Sequence, residues 1–348
     1  MSTRLPGDPG GMMNAVSGLA DQFARGASAV GSLGTEFRAR SIRTVLVCGM
    51  GGSAFPGDFL ALYARRFGVT VTVSRDYEVR ETALDPSVLA IVSSYSGDTE
   101  ETLSAFEQVR AAGCAMVAVS AGGRLEALAR THDVPHVRFV RPDPHFQPRA
   151  AMGDFFGAFT TLLHNAGLLP DVPAMLTRLS AHIRALHVDG DARALANQLW
   201  DRIPVIYATD PFTQTAARVI KIKLNENAKM PAFFNGLPEL DHNELVGFTR
   251  LTGPFSAVLL RPPGLSVAMA RRFEVTAETL VSVGVPALTV DLPDADPEVQ
   301  LFTVLHLFDV VSVHIALRAG IDPTPVAMVE DFKRRLAERA AAQRVSTY

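Results

Sequence analysis

The stretch Val45–Asp58, VLVCGMGGSAFPGD, decides how the first half of the chain folds. Val45, Leu46 and Val47 read as a strand, Gly49–Ala54 satisfies G-x-G-x-x-A, and the residues after it read as a helix. A glycine turn between a parallel strand and a helix lets backbone N–H groups and the helix N-terminus converge on an anion. Both a dinucleotide and a single phosphate ester can use that device. A dinucleotide calls for an acidic residue at the end of the second strand, about 20 residues on. The segment VTVSRDYEV offers Asp76 there, which comes late for that task.

Outward from this stretch, strands and helices alternate. Thr44–Gly49, Val69–Ser74, Val88–Ser93 and Ala115–Ser120 are short runs rich in β-branched residues, with helical patterns at Phe55–Arg66 and Thr99–Ala112. Leu103, Phe106 and Val109 recur at helical spacing. The alternation predicts a parallel sheet covered by helices on both faces. An irregular segment from Asp133 to Pro148 and a helical one at Met152–Leu169 follow, and a domain boundary is expected nearby.

The second half repeats the plan, with strands at Pro204–Ala208, Ser256–Arg261 and Pro286–Leu292 and a helix at Ser266–Val283. The helix-Gly-strand unit of Thr99–Ser120 has its counterpart in Glu274–Asp291, which suggests a duplicated fold. The predicted class is therefore α/β, with two doubly wound parallel-sheet domains in tandem. Residues 1–40 form an N-terminal arm with one helix, 41–150 the first domain, and 151–348 the second with the C-terminal helices.

Only the first copy carries a hydroxyl-rich loop, Ser94-Tyr95-Ser96-Gly97-Asp98-Thr99, at the start of a helix. An ordinary helix cap would account for one hydroxyl and leave the other two unexplained. Should strands one and three flank the crossover point of the sheet, both loops open on one crevice suited to a single phosphate.

The second half carries Ala217–Val246, ARVIKIKLNENAKMPAFFNGLPELDHNELV. Its opening is helical, with Val219, Ile220, Lys223 and Leu224 near one face, and it ends in Asn225-Glu226-Asn227. A carboxylate such as Glu226 can take a proton from one carbon and return it to the next, and the imidazole of His242 exchanges protons near neutrality. Glu239, Asp241, His242 and Glu244 are hard-ligand types close together, yet no second histidine stands at ligand spacing, so a metal is not expected.

GMGGS followed by S-Y-S-G-[ND]-T resembles the sugar isomerase (SIS) phosphosugar-binding domain. The tandem arrangement, with N-E-N-A-K and P-E-L-x-H-N-E at matching spacing, resembles the bifunctional phosphoglucose/phosphomannose isomerase family from about Ser41 to Leu336. The resemblance implies two SIS-type domains and a cofactor-free aldose–ketose isomerase working through a cis-enediol. It implies that Gly51, Gly52, Ser53, Ser94, Ser96 and Thr99 hold the sugar phosphate and that Glu226 is the base. It also implies that His242 opens the ring, reaching the active site of a neighbouring subunit in a homodimer. Arg149, in Gln147-Pro148-Arg149, matches a guanidinium facing the enediolate, Lys333 a lysine assisting ring opening, and Thr324 a small hydroxyl residue leaving room for either epimer. Three positions depart from the pattern: Asp98 where Asn is usual, and Ala54 and Pro56 where glycines are common. A phosphosugar-binding regulator on the same fold and an aminosugar-phosphate isomerase or epimerase are the rival readings; a regulator has no need of the NEN…HNE segment.

Composition narrows the partners. The 348 residues carry 33 Lys and Arg against 36 Asp and Glu, net charge -3, with no basic run to track nucleic acid. Cys48 and Cys114 sit in or beside apolar strands without ligand spacing and read as core residues of a reducing, cytoplasmic protein. No basic-then-apolar signal pattern opens the sequence. The apolar run Val299–Ala319 contains His306, Asp309, His314 and Arg318, each costly in lipid, and reads as a buried helix in place of a membrane span.

Overall fold

The structure, a computed structural model, describes residues 5–346. The N-terminal arm forms two helices where the sequence suggested one, α1 (Met12–Ser17) and α2 (Leu19–Val30), parted at Gly18. The first α/β unit runs β1 (Thr44–Gly49), α3 (Phe55–Ala64), β2 (Thr70–Ser74), β3 (Val88–Ser93), α4 (Glu100–Ala111), β4 (Ala115–Ser120), α5 (Gly123–Thr131) and β5 (His136–Arg138). Helices α6 (Met152–Asn165), α7 (Val172–Ala185) and α8 (Asp189–Gln198) lead into the second unit. That unit runs β6 (Ile203–Ala208), α9 (Pro211–Glu226), β7 (Phe233–Gly236), α10 (Glu244–Gly247), β8 (Phe255–Arg261), α11 (Val267–Ser282) and β9 (Ala287–Asp291). It closes with α12 (Pro297–Arg318) and α13 (Ala327–Ser346).

Both sheets are wholly parallel, ordered β2-β1-β3-β4-β5 and β7-β6-β8-β9. Each therefore starts in its interior, steps to one neighbour and crosses to the other side. The crossover of the first sheet lies between β1 and β3, where Gly49 pairs with Ser93. The strand ends are level, so Met50–Ser53 and Ser94–Thr99 emerge side by side, in the place where open parallel sheets bind ligands.

The pleat alternation sorts the strand side chains into separate cores. Val45, Val47, Leu89, Ile91 and Val117 of the first sheet share one continuous core with Ile206, Ala208, Val258 and Leu260 of the second. Helices α2, α3, α6, α7, α9 and α12 fill the space between the sheets. The opposite face of the first sheet, with Leu46, Cys48, Ala90 and Val92, lies under Phe106 and Val109 of α4 and Leu125 of α5. The opposite face of the second, with Val205, Tyr207, Ala257 and Leu259, lies under Phe273 and Leu280 of α11. Covering both faces explains why the strands read as unbroken apolar runs.

Helix α12 is central to this shared layer. It is the one helix among the described residues long and apolar enough to cross a membrane, and most of it is buried inside the fold. Phe302 packs edge-on against Phe23 of α2 and Phe59 of α3, with ring centroids 4.9 and 5.7 Å apart. Close helix approach also sets α2 against α6: a Cβ on Gly26 would lie 1.9 Å from the Asp154 carbonyl oxygen. Cys48 and Cys114 are free and buried, and burial pushes the Cys48 thiol up to about 12.

Candidate active site

The two loops at the crossover are tied to each other. Ser53, buried in the turn after β1, accepts the Tyr95 N–H at 2.9 Å through its Oγ. Ser94 Oγ lies 2.9 Å from Thr99 Oγ1 and 3.4 Å from Ser96 Oγ, and it accepts the Gly97 N–H at 3.1 Å. Gly97 has φ +80°, and its α-carbon closes on the backbone of Gly122, so the tight loop requires glycine there. Thr99 occupies the N-cap position of α4 but makes no side-chain cap hydrogen bond. Its hydroxyl is engaged by Ser94 in place of the first-turn N–H groups of α4.

Two of the three departures from the family pattern are accommodated. Asp98 turns away from the crevice, accepting the Arg124 N–H at 3.1 Å and facing Arg124 Nε at 3.5 Å. Pro56 stands in the first turn of α3, where a missing N–H costs nothing. Asp76, the acidic residue a dinucleotide would need, is exposed and accepts the N–H of Tyr77 at 2.7 Å.

The second half meets these loops through Arg149. A Cβ on Gly52 would lie 2.7 Å from the Pro148 carbonyl carbon and 2.8 Å from the Arg149 nitrogen, so the glycine loop rests on the Arg149 backbone. The Arg149 side chain is 2% exposed and held from every side. Its Nε donates to Asn227 Oδ1 at 2.6 Å, Nη1 to Gln147 Oε1 at 3.3 Å, and Nη2 to the carbonyls of Pro323 and Thr324 at 2.9 and 2.7 Å. Nη1 also faces Glu226 Oε2 at 3.4 Å. Burial holds the guanidinium below its ordinary value, opposed by the charges of Glu226, Asp309 and Asp322.

Glu226 is the last residue of α9. The helix begins with a reciprocal cap, Thr213 N–H to Asp210 Oδ1 at 2.8 Å and Asp210 N–H to Thr213 Oγ1 at 3.1 Å, with Pro211 in its first turn. It ends at Asn227, and Lys229 takes a left-handed φ of +55°. Glu226 keeps about a third of its side chain exposed, with its carboxylate held beside Arg149 Nη1.

Beneath it lies a buried network that the sequence reading missed. Lys223, fully buried, pairs with Asp309 Oδ1 of α12 at 2.6 Å and donates to the Arg149 carbonyl. Asn227 Nδ2 donates to Ser312 Oγ at 3.0 Å, and Ser312 Oγ donates to the Asp309 carbonyl at 2.7 Å. Burial pushes the Lys223 ammonium down and the Asp309 carboxyl up, each opposed by its partner's charge. Lys229 Nζ donates to the Glu226 carbonyl and, at 3.0 Å, to the Pro323 carbonyl.

Thr324 is brought to the same place. Its carbonyl meets Arg149, its buried Oγ1 has no hydrogen-bond partner among the described residues, and the arm residue Gly10 packs directly onto it. His242 and Lys333 are placed elsewhere on the chain. His242 is exposed on a short turn, Glu239–His242, after β7. Lys333 is exposed on α13, its Nζ 3.0 Å from Glu330 Oε1. The hard-ligand cluster does not converge: Tyr207 donates to Glu244 Oε1 at 2.7 Å, Thr276 to Asp241 Oδ1 at 2.8 Å, and Asn243 to Glu239 Oε1 at 3.1 Å. Among the described residues, no group of three or more His, Cys, Asp or Glu is placed to hold a metal.

Two parallel sheets about a shared helical layer, with hydroxyl and glycine loops at one crossover, define the tandem SIS class. A hypothetical protein of Thermus thermophilus has the same fold at 16% identity, TM-score 0.74, covering 94% of this chain and 91% of that one. Residues 188–336 match the family described as bacterial phospho-glucose isomerase C-terminal SIS domain. The bifunctional phosphoglucose/phosphomannose isomerase of Caldicellulosiruptor bescii is 30% identical over 340 residues, 94% of this chain and 99% of that protein. That of Aquifex aeolicus is 31% identical over 301 residues, 85% of this chain and 91% of that protein. The chain belongs to the bifunctional phosphoglucose/phosphomannose isomerase family.

Proposed function

We propose that this protein interconverts glucose 6-phosphate, and mannose 6-phosphate, with fructose 6-phosphate through a cis-enediol. The observation that carries the reading is the Glu226 carboxylate, fixed 3.4 Å from Arg149 Nη1 at the edge of the crevice formed by the two phosphate loops. The names of the relatives support the substrate class.

In this reading the phosphate lies against Gly51, Gly52, Ser53, Ser94, Ser96 and Thr99. Glu226 takes the proton from carbon 2 of the open aldose as the carbonyl oxygen on carbon 1 gains the electron pair. The same carboxyl returns the proton to carbon 1 while the hydroxyl proton passes from the oxygen on carbon 2 to that on carbon 1, leaving the carbonyl at carbon 2 of the ketose. Arg149 holds Glu226 in place and lends its charge to the crevice. Thr324, whose carbonyl meets Arg149, is the small residue that leaves room for either epimer. His242, exposed on its turn, opens rings bound by a neighbouring copy in a cytoplasmic homodimer, and Lys333 is the second ring-opening donor.

A coupled assay with each aldose, run with and without chelator, tests this reading. Turnover of both, indifferent to chelator, is expected. Failure on both sugars refutes the assignment, and loss on chelation refutes the metal-free chemistry. The glycine loop gives a second test. In Gly52→Ala the added carbon must push Pro148–Arg149 away, at an overpacking cost of about 1–3 kcal/mol. The KM for fructose 6-phosphate should rise and kcat should fall together; unchanged values of both would detach the loop from the site.

A further inference from the structure

The carboxylate and the guanidinium that the isomerase reading sets to work on the sugar are fixed by one dipeptide. Glu226 carries the base, and Asn227, the next residue, grips the arginine that faces it. Asn227 is fully buried at the C-terminal end of α9, where its N–H bonds the Lys223 carbonyl at 2.8 Å. With no surface in the crevice, it acts only through what it holds.

That task requires an amide. Arg149 Nε carries a single N–H and cannot accept, so the atom 2.6 Å from it is the amide oxygen of Asn227. The amide nitrogen then points the other way and donates to Ser312 Oγ at 3.0 Å, while buried Ser312, on α12, donates its own proton to the Asp309 carbonyl at 2.7 Å. Leucine in place of Asn227 would leave both neighbours unpaired, and aspartate would keep the acceptor but lose the donor. The remaining contacts show which edge of the guanidinium is left for chemistry. Nη2 meets the Pro323 and Thr324 carbonyls at 2.9 and 2.7 Å. Nη1 has the longest contacts, 3.3 Å to Gln147 Oε1 and 3.4 Å to Glu226 Oε2, and so keeps the most donor capacity for a substrate oxygen.

We infer that Asn227 is a positioning residue for the isomerisation: its amide, anchored on Ser312 of α12, fixes the rotation of the Arg149 guanidinium so that Nη1 stands beside Glu226 and meets the charge developing on the sugar oxygens. The inference rests on the isomerase reading above and leaves Glu226 and Arg149 in the roles given there. A guanidinium held at Nη2 alone can pivot about that edge. The bond at Nε removes the pivot, and because Asn227 follows Glu226 directly, the base and the arginine keep one fixed relation to each other. Electrostatic stabilisation of a transition state depends on donors being in place before the charge appears.

The test compares wild type, Asn227→Leu, Ser312→Ala, the double variant and Glu226→Gln as full-length chains. Steady-state kinetics with fructose 6-phosphate are paired with thermal unfolding and with direct binding of two probes, fructose 6-phosphate itself and a phosphorylated hydroxamate whose two adjacent oxygens mimic the enediolate. In Asn227→Leu, kcat should fall by about 10²-fold, the loss that a misplacement of about 1 Å produces. Affinity for the hydroxamate should fall with it, while fructose 6-phosphate affinity stays within about threefold of wild type. Ser312→Ala, which unties the amide nitrogen and leaves the oxygen on Nε, should give a smaller loss of the same kind. The double variant should be no slower than Asn227→Leu, because the two side chains act in one line. If Asn227 serves only the fold, Asn227→Leu lowers the unfolding temperature and leaves kcat and hydroxamate affinity within about threefold of wild type, which overturns the inference. An equal loss of fructose 6-phosphate affinity, or losses of kcat that multiply in the double variant, overturn it as well. Should Asn227→Leu fail to fold, Ser312→Ala decides alone, and unchanged kcat and hydroxamate affinity in it overturn the inference. An inactive wild type or an active Glu226→Gln variant instead refutes the isomerase reading on which it stands.

Discussion

Replacing Glu226 by Gln is expected to lower aldose–ketose interconversion by about 10²–10⁴-fold while leaving fructose 6-phosphate binding nearly unchanged. The amide keeps the shape of the side chain and an oxygen for Arg149 Nη1 to face, but it cannot accept a proton from carbon. Arg149 keeps its four other acceptors in that variant, so the crevice should hold its form. Turnover and binding must therefore separate. The pair of measurements is steady-state kinetics and equilibrium binding on the same preparation; kcat retained within about tenfold would remove Glu226 from the role of base.

The second large effect is structural. Asp309→Ala strands the fully buried Lys223 ammonium, and breaking a buried pair in this way typically costs about 3–5 kcal/mol. The damage should extend to activity, because Lys223 also holds the Arg149 carbonyl and Arg149 holds Glu226. Replacing both charges, as Lys223→Met with Asp309→Leu, should recover most of the stability, since the desolvation cost vanishes with the ions. It should not recover kcat fully, because the Arg149 carbonyl then lacks its Lys223 donor. Urea unfolding with parallel kinetics distinguishes the two. Recovery of both properties in the double variant would make the pair a stabilising element with no part in positioning.

The sequence made legible whatever is local and periodic. β1 and β3 are marked by short apolar runs rich in β-branched residues, and the structure places both where they were expected. Edge elements were less visible: β5 spans three residues and β7 four, too short for a pattern, and β7 leaves Phe233 and Phe234 exposed. The second helix of the arm was hidden because Gly18 breaks a small-residue run that reads as one segment.

The crevice was legible at its loops and illegible at its floor. Ser53, Ser94 and Thr99 announced themselves as hydroxyls beside glycines, whereas the network below depends on residues distant in sequence. Two signals were nevertheless present. Lys223 sits on a helix face with Val219, Ile220 and Leu224, and Asp309 interrupts the most apolar segment of the chain. A buried charge requires a partner, and each of these is the other's. Asn227 and Lys229 were read only as flanks of Glu226; their contacts with Arg149, Ser312 and Pro323 follow from tertiary placement that spacing along the chain cannot reveal. His242 and Lys333 carry the opposite lesson, since motif position singled them out while the fold of one chain keeps both at the surface.

The central claim is that one crevice combines a phosphate cradle with a carboxylate that moves a proton between carbons 1 and 2. The most direct test is to incubate the purified protein with fructose 6-phosphate and chelator and to follow the sugar phosphates by NMR. Appearance of glucose 6-phosphate together with mannose 6-phosphate, suppressed in Glu226→Gln, is the predicted result. Fructose 6-phosphate left unconverted by the folded wild-type protein would contradict the account.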